Sequence, residues 1–207
     1  MKNVLRITLG LFLLSIVFMS CSKTTTSKKS YIKYDNKEYD LSQGIIFPGD
    51  FAGKQVAPTD VTSGNPISLL LLSSGLTIHE VGGTVDSISG TGSGIVFETY
   101  SGSSDKLDDG EYVFDSLSLE KPGTFSYADA IFDYNVGTEV GTEVEMIGGT
   151  LTVKTVGNDY EFTFNCNTHD GKTVTGYYKG SIKSYMTPVG KVAKNGVQKL
   201  SGWNFRH

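Results

Sequence analysis

The densest group of carboxylates in the sequence comprises Asp105, Asp108, Asp109 and Glu111, in the stretch DKLDDGE. Loops rich in oxygen ligands bind Ca²⁺, so these four residues are candidate metal ligands. Their spacing differs from that of an EF-hand loop, and Asp-Asp-Gly is also a favourable turn sequence. The stretch therefore predicts a solvated turn, with a cation site as the alternative.

Two further pairs, His79-Glu80 and His169-Asp170, combine residue types that serve in acid–base or metal chemistry. The chain has only 3 His, at scattered positions, and no HExxH, nucleophile elbow, phosphate loop or CxxC motif. A glycosidase needs only two carboxylates at a suitable separation, which a sequence alone does not place. We therefore expect a protein without catalytic activity or cofactor, and we keep a hydrolase as an alternative.

The stretch 147–184 has the most regular pattern in the chain and predicts a meander of three antiparallel strands. Gly157-Asn158 suits a two-residue hairpin loop, and His169-Asp170-Gly171 suits a three-residue loop that ends in a left-handed glycine. The two turns dictate registers that agree, because both place Phe162 and Phe164 on one apolar face. Cys166 falls on the same face as a small buried residue.

The opposite face of this meander carries Tyr177, with Thr163 and Thr175 around it. An outward-facing ring can stack on a sugar or a partner, so Tyr177 is a candidate ligand-binding residue, as is Trp203 near the end of the sequence. The alternative for Tyr177 is a surface cross-strand pair. The alternative for Trp203 is a C-terminal segment, 185–207, that docks on the body of the domain.

The remainder of the chain reads as strands and turns, and no long stretch has the helical period. A turn at Asp35-Asn36 predicts an opening hairpin that pairs Ile32 with Tyr39. The apolar run Leu69–Leu72 predicts a strand covered on both faces, with a short buried helix as the alternative. The Gly/Ser-rich stretch 89–94 predicts a turn between two short strands.

The stretch 124–136 predicts one long strand with Asp129 and Asp133 on the same side as Phe125, Tyr127 and Ile131. About ten strands are expected, more than one flat sheet holds comfortably. We therefore predict an all-β fold, a two-sheet antiparallel sandwich that ends in the three-strand meander. A closed or half-closed, lipocalin-like barrel is the alternative.

The first 20 residues predict a signal peptide rather than part of the fold. Lys2 and Arg6 precede the apolar stretch 7–18, which is shorter than the roughly 20 residues that a spanning helix needs. Phe18-Met19-Ser20-Cys21 resembles the lipobox of bacterial lipoproteins. The resemblance implies that Cys21 is acylated and becomes the first residue of the mature protein, held firmly because more than one acyl chain anchors it. Phe18 departs from the pattern, in which Leu is usual, and an ordinary secretory signal with an incidental Cys is the alternative.

Cleavage before Cys21 would leave a polar tether, 21–30, and a single β domain, 31–207. The formal charge would change from −4 to −6, because the leader carries two basic residues and no acidic ones. An acidic domain argues against nucleic acid as a partner. Ser22 is not the Asp that retains lipoproteins in the inner membrane, so the resemblance implies the outer membrane. The basic tether favours its periplasmic face over the cell surface.

Three stretches, GGTLTV, DGKTVTGYYKG and YDNKEYDL, resemble small Bacteroidetes-type envelope lipoproteins of unknown function. The resemblance covers about half of the chain and implies a fold and a location but no activity. Together with the leader it leads us to expect a lipid-anchored, non-catalytic binding or accessory module for a glycan or a protein partner. A structural or assembly component of the envelope is the alternative.

Overall fold

The structure is a computed structural model, and it describes residues 28–49 and 63–185. Every regular element in these two ranges is a strand, so no helix there is long and apolar enough to cross a membrane. The strands are β1 (Tyr31–Tyr34), β2 (Lys37–Asp40), β3 (Gln43–Pro48), β4 (Asn65–Leu72), β5 (Leu76–Val81), β6 (Thr84–Ser101), β7 (Gly110–Phe114), β8 (Thr124–Asn135), β9 (Val140–Val156), β10 (Asp159–Thr168), β11 (Thr173–Gly180) and β12 (Ile182–Ser184). The all-β prediction is confirmed.

The strands form one curled sheet in the order β12-β3-β4-β6-β8-β7-β9-β10-β11-β1-β2, with β5 paired to β6 alone. Most pairs are antiparallel, but β12 with β3 and β7 with β8 are parallel, which the sequence did not predict. Only Ser181 separates β11 from β12, and two residues separate β2 from β3. The chain therefore links the two ends of the strand order, and the sheet curls into a half-barrel.

Both locally encoded pairings have the predicted register. In the meander β9-β10-β11, Phe162 lies opposite Val153 and Tyr178, and Glu161 lies opposite Lys154 and Lys179. In the opening hairpin, Ile32 pairs with Tyr39 across a turn whose two residues have positive φ, as a tight hairpin requires. These registers direct the apolar side chains of the meander into the interior, where Phe162 is fully buried.

Strand β4 is covered on both faces, as the unbroken Leu69–Leu72 run predicts. Leu69 and Leu71 enter the interior of the half-barrel, whereas Leu70 and Leu72 join a second apolar cluster on the outer face. The hairpin of β5 and the first half of β6 contributes Leu76, Val85 and Ile88 to this second cluster. The half-barrel thus has an added layer over part of its outside.

The predicted turn at 89–94 is wrong, because β6 runs unbroken for 18 residues through this Gly/Ser-rich stretch. Its first half pairs with β5 and its second half with β4 and β8. Gly90 has a φ of 105°, and a Cβ there would collide with the carbonyl oxygen of Gly75. The glycines thus mark a bend and a close backbone approach within a strand.

Candidate acidic site on strands β8 and β9

Two irregularities in β8 decide which of its side chains face outward. Glu98 pairs with Tyr127 but the next residue, Thr99, pairs with Phe125, so Ser126 is an extra residue in β8. This β-bulge reverses the alternation of side chains. Phe125 consequently enters the interior with Ala128, whereas Tyr127 and Ile131, and Asp129 between them, face outward. The prediction that Phe125 shares a side with Asp129 is therefore wrong.

The second irregularity lies at the other end of β8 and concerns Asp133. The register with β6 shifts again between Gly92 and Gly94, and Asp133 has a φ of 50°. Its exposed carboxylate accepts a hydrogen bond of 2.6 Å from Lys37 Nζ. Asp133 therefore belongs to the rim of the half-barrel and is not a neighbour of Asp129.

Asp129 is a buried carboxyl on the outer face of the sheet, with only 2% of its surface exposed. It lies between Val96 of β6 and Glu145 of β9 in the strand register. Its Oδ1 atom is buried and has no hydrogen-bond partner. None of the salt bridges formed between residues of 28–49 and 63–185 involves Asp129 or Glu145.

The neighbours of Asp129 disfavour its charged form. Burial raises the pKa of Asp129 to about 8, and a hydrogen bond to Glu143 and the charges of Glu143 and Glu145 act in the same direction. Tyr127, half-buried on the same face, also has a raised pKa, through burial and then through the charge of Asp129. Burial and the neighbouring carboxyls therefore favour the protonated form of Asp129, which can share its proton with Glu143.

Asp129 and Glu143 can share one proton between their carboxyl groups. Their oxygens can also accept hydrogen bonds from a bound group and attract its positive charge. A glycosidase requires its two carboxyls roughly 5–9.5 Å apart, so that a sugar or a water fits between them. Asp129 and Glu143 share a hydrogen bond instead. The geometry thus fits a shared-proton pair or a binding site and does not fit a glycosidase.

The four candidate metal ligands in DKLDDGE are not gathered around one point. Asp108 accepts hydrogen bonds from the backbone N–H and the hydroxyl of Ser103, at 2.9 and 2.6 Å. Asp109 accepts from the N–H and the hydroxyl of Thr155, at 2.8 and 2.6 Å. Asp105 and Glu111 are exposed. Within the described ranges no group of three or more His, Cys, Asp or Glu is arranged to hold a metal ion.

Tyr177 occupies the predicted face but does not offer its ring to a ligand. It pairs with Thr163 as predicted and with Tyr31 of β1 on its other side, which leaves 6% of it exposed. Lys28 Nζ lies 4.0 Å from the centroid of the ring. Stacking on a sugar would require Lys28 to leave.

Of the remaining predicted residues, the structure describes Cys166 but not Cys21 or Trp203. Cys166 lies in the interior as predicted, and burial raises its pKa to about 12. Cys21 and Trp203, together with the segment 186–207, lie outside the described residues.

In the two His pairs, the acidic residue bonds to side chains other than the neighbouring histidine. His79 Nε2 lies 2.7 Å from Ser89 Oγ, whereas Glu80 accepts hydrogen bonds from Lys183 and the Tyr185 hydroxyl. Asp170 caps its own turn through Thr168, which places it in a structural role. Neither pair forms an acid–base unit.

Sequence reasoning missed the Asp129–Glu143 pair, although a signal for it exists. Asp129 is a single carboxyl inside the apolar stretch Ala128–Phe132, and Glu143 and Glu145 alternate with Val144 and Met146. A carboxyl residue among buried apolar neighbours indicates a polar partner close by, because a buried carboxyl group needs one. Its partner lies on the following strand, and only the pairing of β8 with β9 reveals which residue that is.

Comparison of the chain with protein-family models, with curated proteins and with solved structures finds no match in any of the three. The function is therefore inferred from the residues and the geometry of the chain itself.

Proposed function

We propose that this protein is a lipid-anchored component of the bacterial cell envelope whose β domain is a non-catalytic binding module. The observation that supports binding is the buried, unpartnered Oδ1 of Asp129 on the outer face of the half-barrel. An unsatisfied buried polar atom costs about 1–3 kcal/mol. A partner that donates a hydrogen bond there offsets this cost. The partner is a glycan or another envelope protein, and the membrane is reached through Cys21.

The position of the pair within regular strands favours binding over chemistry. Asp129 and Glu143 lie on two paired strands, so the backbone holds their positions before a partner arrives. Preorganisation of this kind reduces the entropic cost of association.

A thermal-shift screen of the mature, lipidated protein in detergent, followed by a glycan array and a peptide array, tests the binding function. We expect at least one glycan or peptide to raise the melting temperature of the wild type and of Asp105→Asn, a control at an exposed carboxyl. The same ligand should leave Asp129→Asn unchanged. A ligand that stabilises all three proteins equally, or the absence of any stabilising glycan or peptide, would contradict a glycan or peptide partner at this site.

Metabolic labelling with an alkyne analogue of palmitate tests the anchor separately. Cys21→Ala should lose the label and fractionate away from the outer membrane, whereas Cys166→Ala should keep both the label and its location. Equal labelling of wild type and Cys21→Ala would exclude lipidation at Cys21. Protease treatment of intact cells tests the proposed periplasmic face, since a chain displayed on the surface would be digested.

A second candidate function, assembly with other envelope components, is favoured by the loop that follows β7. Leu117 and Leu119 are 75% and 52% exposed, and both carboxylate oxygens of Asp115 accept hydrogen bonds from their backbone N–H groups. Ser118 and Glu120, at φ 49° and 57°, adopt the left-handed conformation that non-glycine residues rarely occupy. The loop therefore presents two leucines in a fixed shape.

Site-specific photocrosslinking in living cells tests this second candidate. A photoreactive residue at position 117 should give one discrete adduct that contains the partner. The same residue at position 81, where exposed Val81 ends β5, is the control and should give none. Adducts of equal abundance at both positions would mean that the loop has no special role in assembly.

A further inference from the structure

We propose that the Asp129–Glu143 pair recognises a cationic nitrogen group, an ammonium or a guanidinium, and exchanges its shared proton for that group. The inference rests on the proposed binding function and names the chemical class that the same site accepts.

The charge of the face argues for a cation. The titratable side chains that act on Asp129 are Glu143 and Glu145 of β9, and Tyr127 of β8 itself lies on the same face, opposite Glu98 of β6. Of these, three are carboxylates, and the fourth is a phenol whose raised pKa keeps it neutral. Like charges on neighbouring side chains repel one another. A bound positive charge would convert that repulsion into attraction.

The hydrogen-bonding groups of the site restrict the chemical class of the ligand further. Carboxyl oxygens accept hydrogen bonds, and Oδ1 of Asp129 has none to accept. An ammonium brings three donors and a guanidinium five, each with a positive charge, whereas a sugar hydroxyl brings a donor without charge. A divalent metal ion fits less well, since no set of three or more suitable ligands is arranged around one point in residues 28–49 and 63–185.

The exchange balances in protons and charge. Before binding, one proton lies between Asp129 and Glu143, and the pair carries one negative charge. The cation enters with its own protons, the shared proton leaves to solvent, and two carboxylates then face one ammonium or guanidinium. Glu143 is exposed on β9, so its side chain can rotate to admit the group to the otherwise buried Asp129.

Isothermal titration calorimetry with agmatine, which carries both an ammonium and a guanidinium, tests the inference on the mature lipidated protein. Titrations at pH 6, 7 and 8, each in two buffers of different ionisation enthalpy, measure affinity and proton release together. We expect about one proton released per agmatine at pH 6 and 7, and an affinity that rises about tenfold per pH unit from 6 to 7. The uncharged 1,4-butanediol should not bind.

Two variants make the result specific to the pair. Asp129→Asn retains the shape but cannot release the proton, so it should lose the proton release and weaken agmatine binding at least tenfold. Asp105→Asn should behave as the wild type. Agmatine binding that does not depend on pH, or that is equal in Asp129→Asn, would overturn the inference.

The outcome is separable from that of the proposed function. A glycan or a neutral peptide that binds through Asp129 while agmatine does not would refute the cationic class and leave the binding module in place. Agmatine binding together with silent arrays would support the cationic class and refute a glycan or peptide partner.

Discussion

Replacing Asp129 with Asn should change how the stability of the protein depends on pH. The folded protein holds a proton on Asp129 up to a pKa of about 8, whereas the unfolded chain releases it near the ordinary value of 3.8. Between these two values the folded state binds more protons than the unfolded state, so the free energy of unfolding must fall as pH rises. The burial of Asp129 therefore lowers the free energy of unfolding least at acidic pH.

The size of the effect follows from the two pKa values. A difference of one pKa unit corresponds to about 1.4 kcal/mol, so the contribution of Asp129 falls by about 4 kcal/mol between pH 4.5 and 7.5. Asn at this position has no proton to exchange, and its amide N–H can donate to Glu143 as the protonated acid does. Asp129→Asn should therefore match the wild type near pH 4.5 and exceed it by about 4 kcal/mol at pH 7.5.

Urea unfolding followed by far-ultraviolet circular dichroism at pH 4.5, 6.0 and 7.5 measures the difference. The other titrating groups are present in both proteins, so the difference between the two free energies of unfolding reports Asp129 together with its coupling to Glu143. Asp105→Asn, at an exposed position, is the matched control and should track the wild type at every pH. A constant difference between Asp129→Asn and wild type across the three pH values would refute the reasoning.

Three further outcomes are expected from the packing. Leu70→Ala and Leu71→Ala should each lower the free energy of unfolding by about 2–5 kcal/mol, because each side chain fills a different apolar cluster. Gly176→Ala should cost about 1–3 kcal/mol in urea unfolding, because its Cβ would overlap the ring of Phe164. Cys166 should stay unalkylated by iodoacetamide at pH 8 until urea unfolds the protein, because its buried thiol has a pKa of about 12.

Each of these outcomes has its own control. Gly137→Ala meets only the side-chain oxygen of Asn135, at 3.5 Å, and should change stability little. A loss of stability in Leu71→Ala alone would mean that the outer cluster contributes nothing to β4. Alkylation of the native protein would show that the interior opens around Cys166 without global unfolding.

The sequence predicted the parts of the fold that short turns determine. The registers of the meander and of the opening hairpin follow from three turns, each made by neighbouring residues with suitable φ values. Double coverage of β4 was predictable from four consecutive leucines, because alternation with polar residues is lost when both faces are buried. Local sequence was sufficient in these cases because the determining contacts are local.

Other features escaped because distant residues determine them. Gly90–Gly94 has the composition of a turn, yet pairing with three other strands keeps it extended. Tyr177 was expected at the surface, and it is covered because Lys28 and Tyr31 lie across it. The side of the sheet on which Asp129 lies depends on one extra residue, Ser126, in β8. The pairing of β8 with β6 produces this bulge, and the amino-acid composition does not indicate it.

The strand order also determines when each strand can find its neighbours as the chain folds. Tyr31 pairs with Tyr177, and Gly44 pairs with Ile182, so the earliest strands acquire their neighbours from the last ones. Contacts so far apart in the chain form slowly, because long loops must close first. A nascent polypeptide therefore cannot complete this sheet until nearly all of the domain, through β12, has been synthesised. Synthesis of the first strands and closure of the half-barrel are separated in time by its topology.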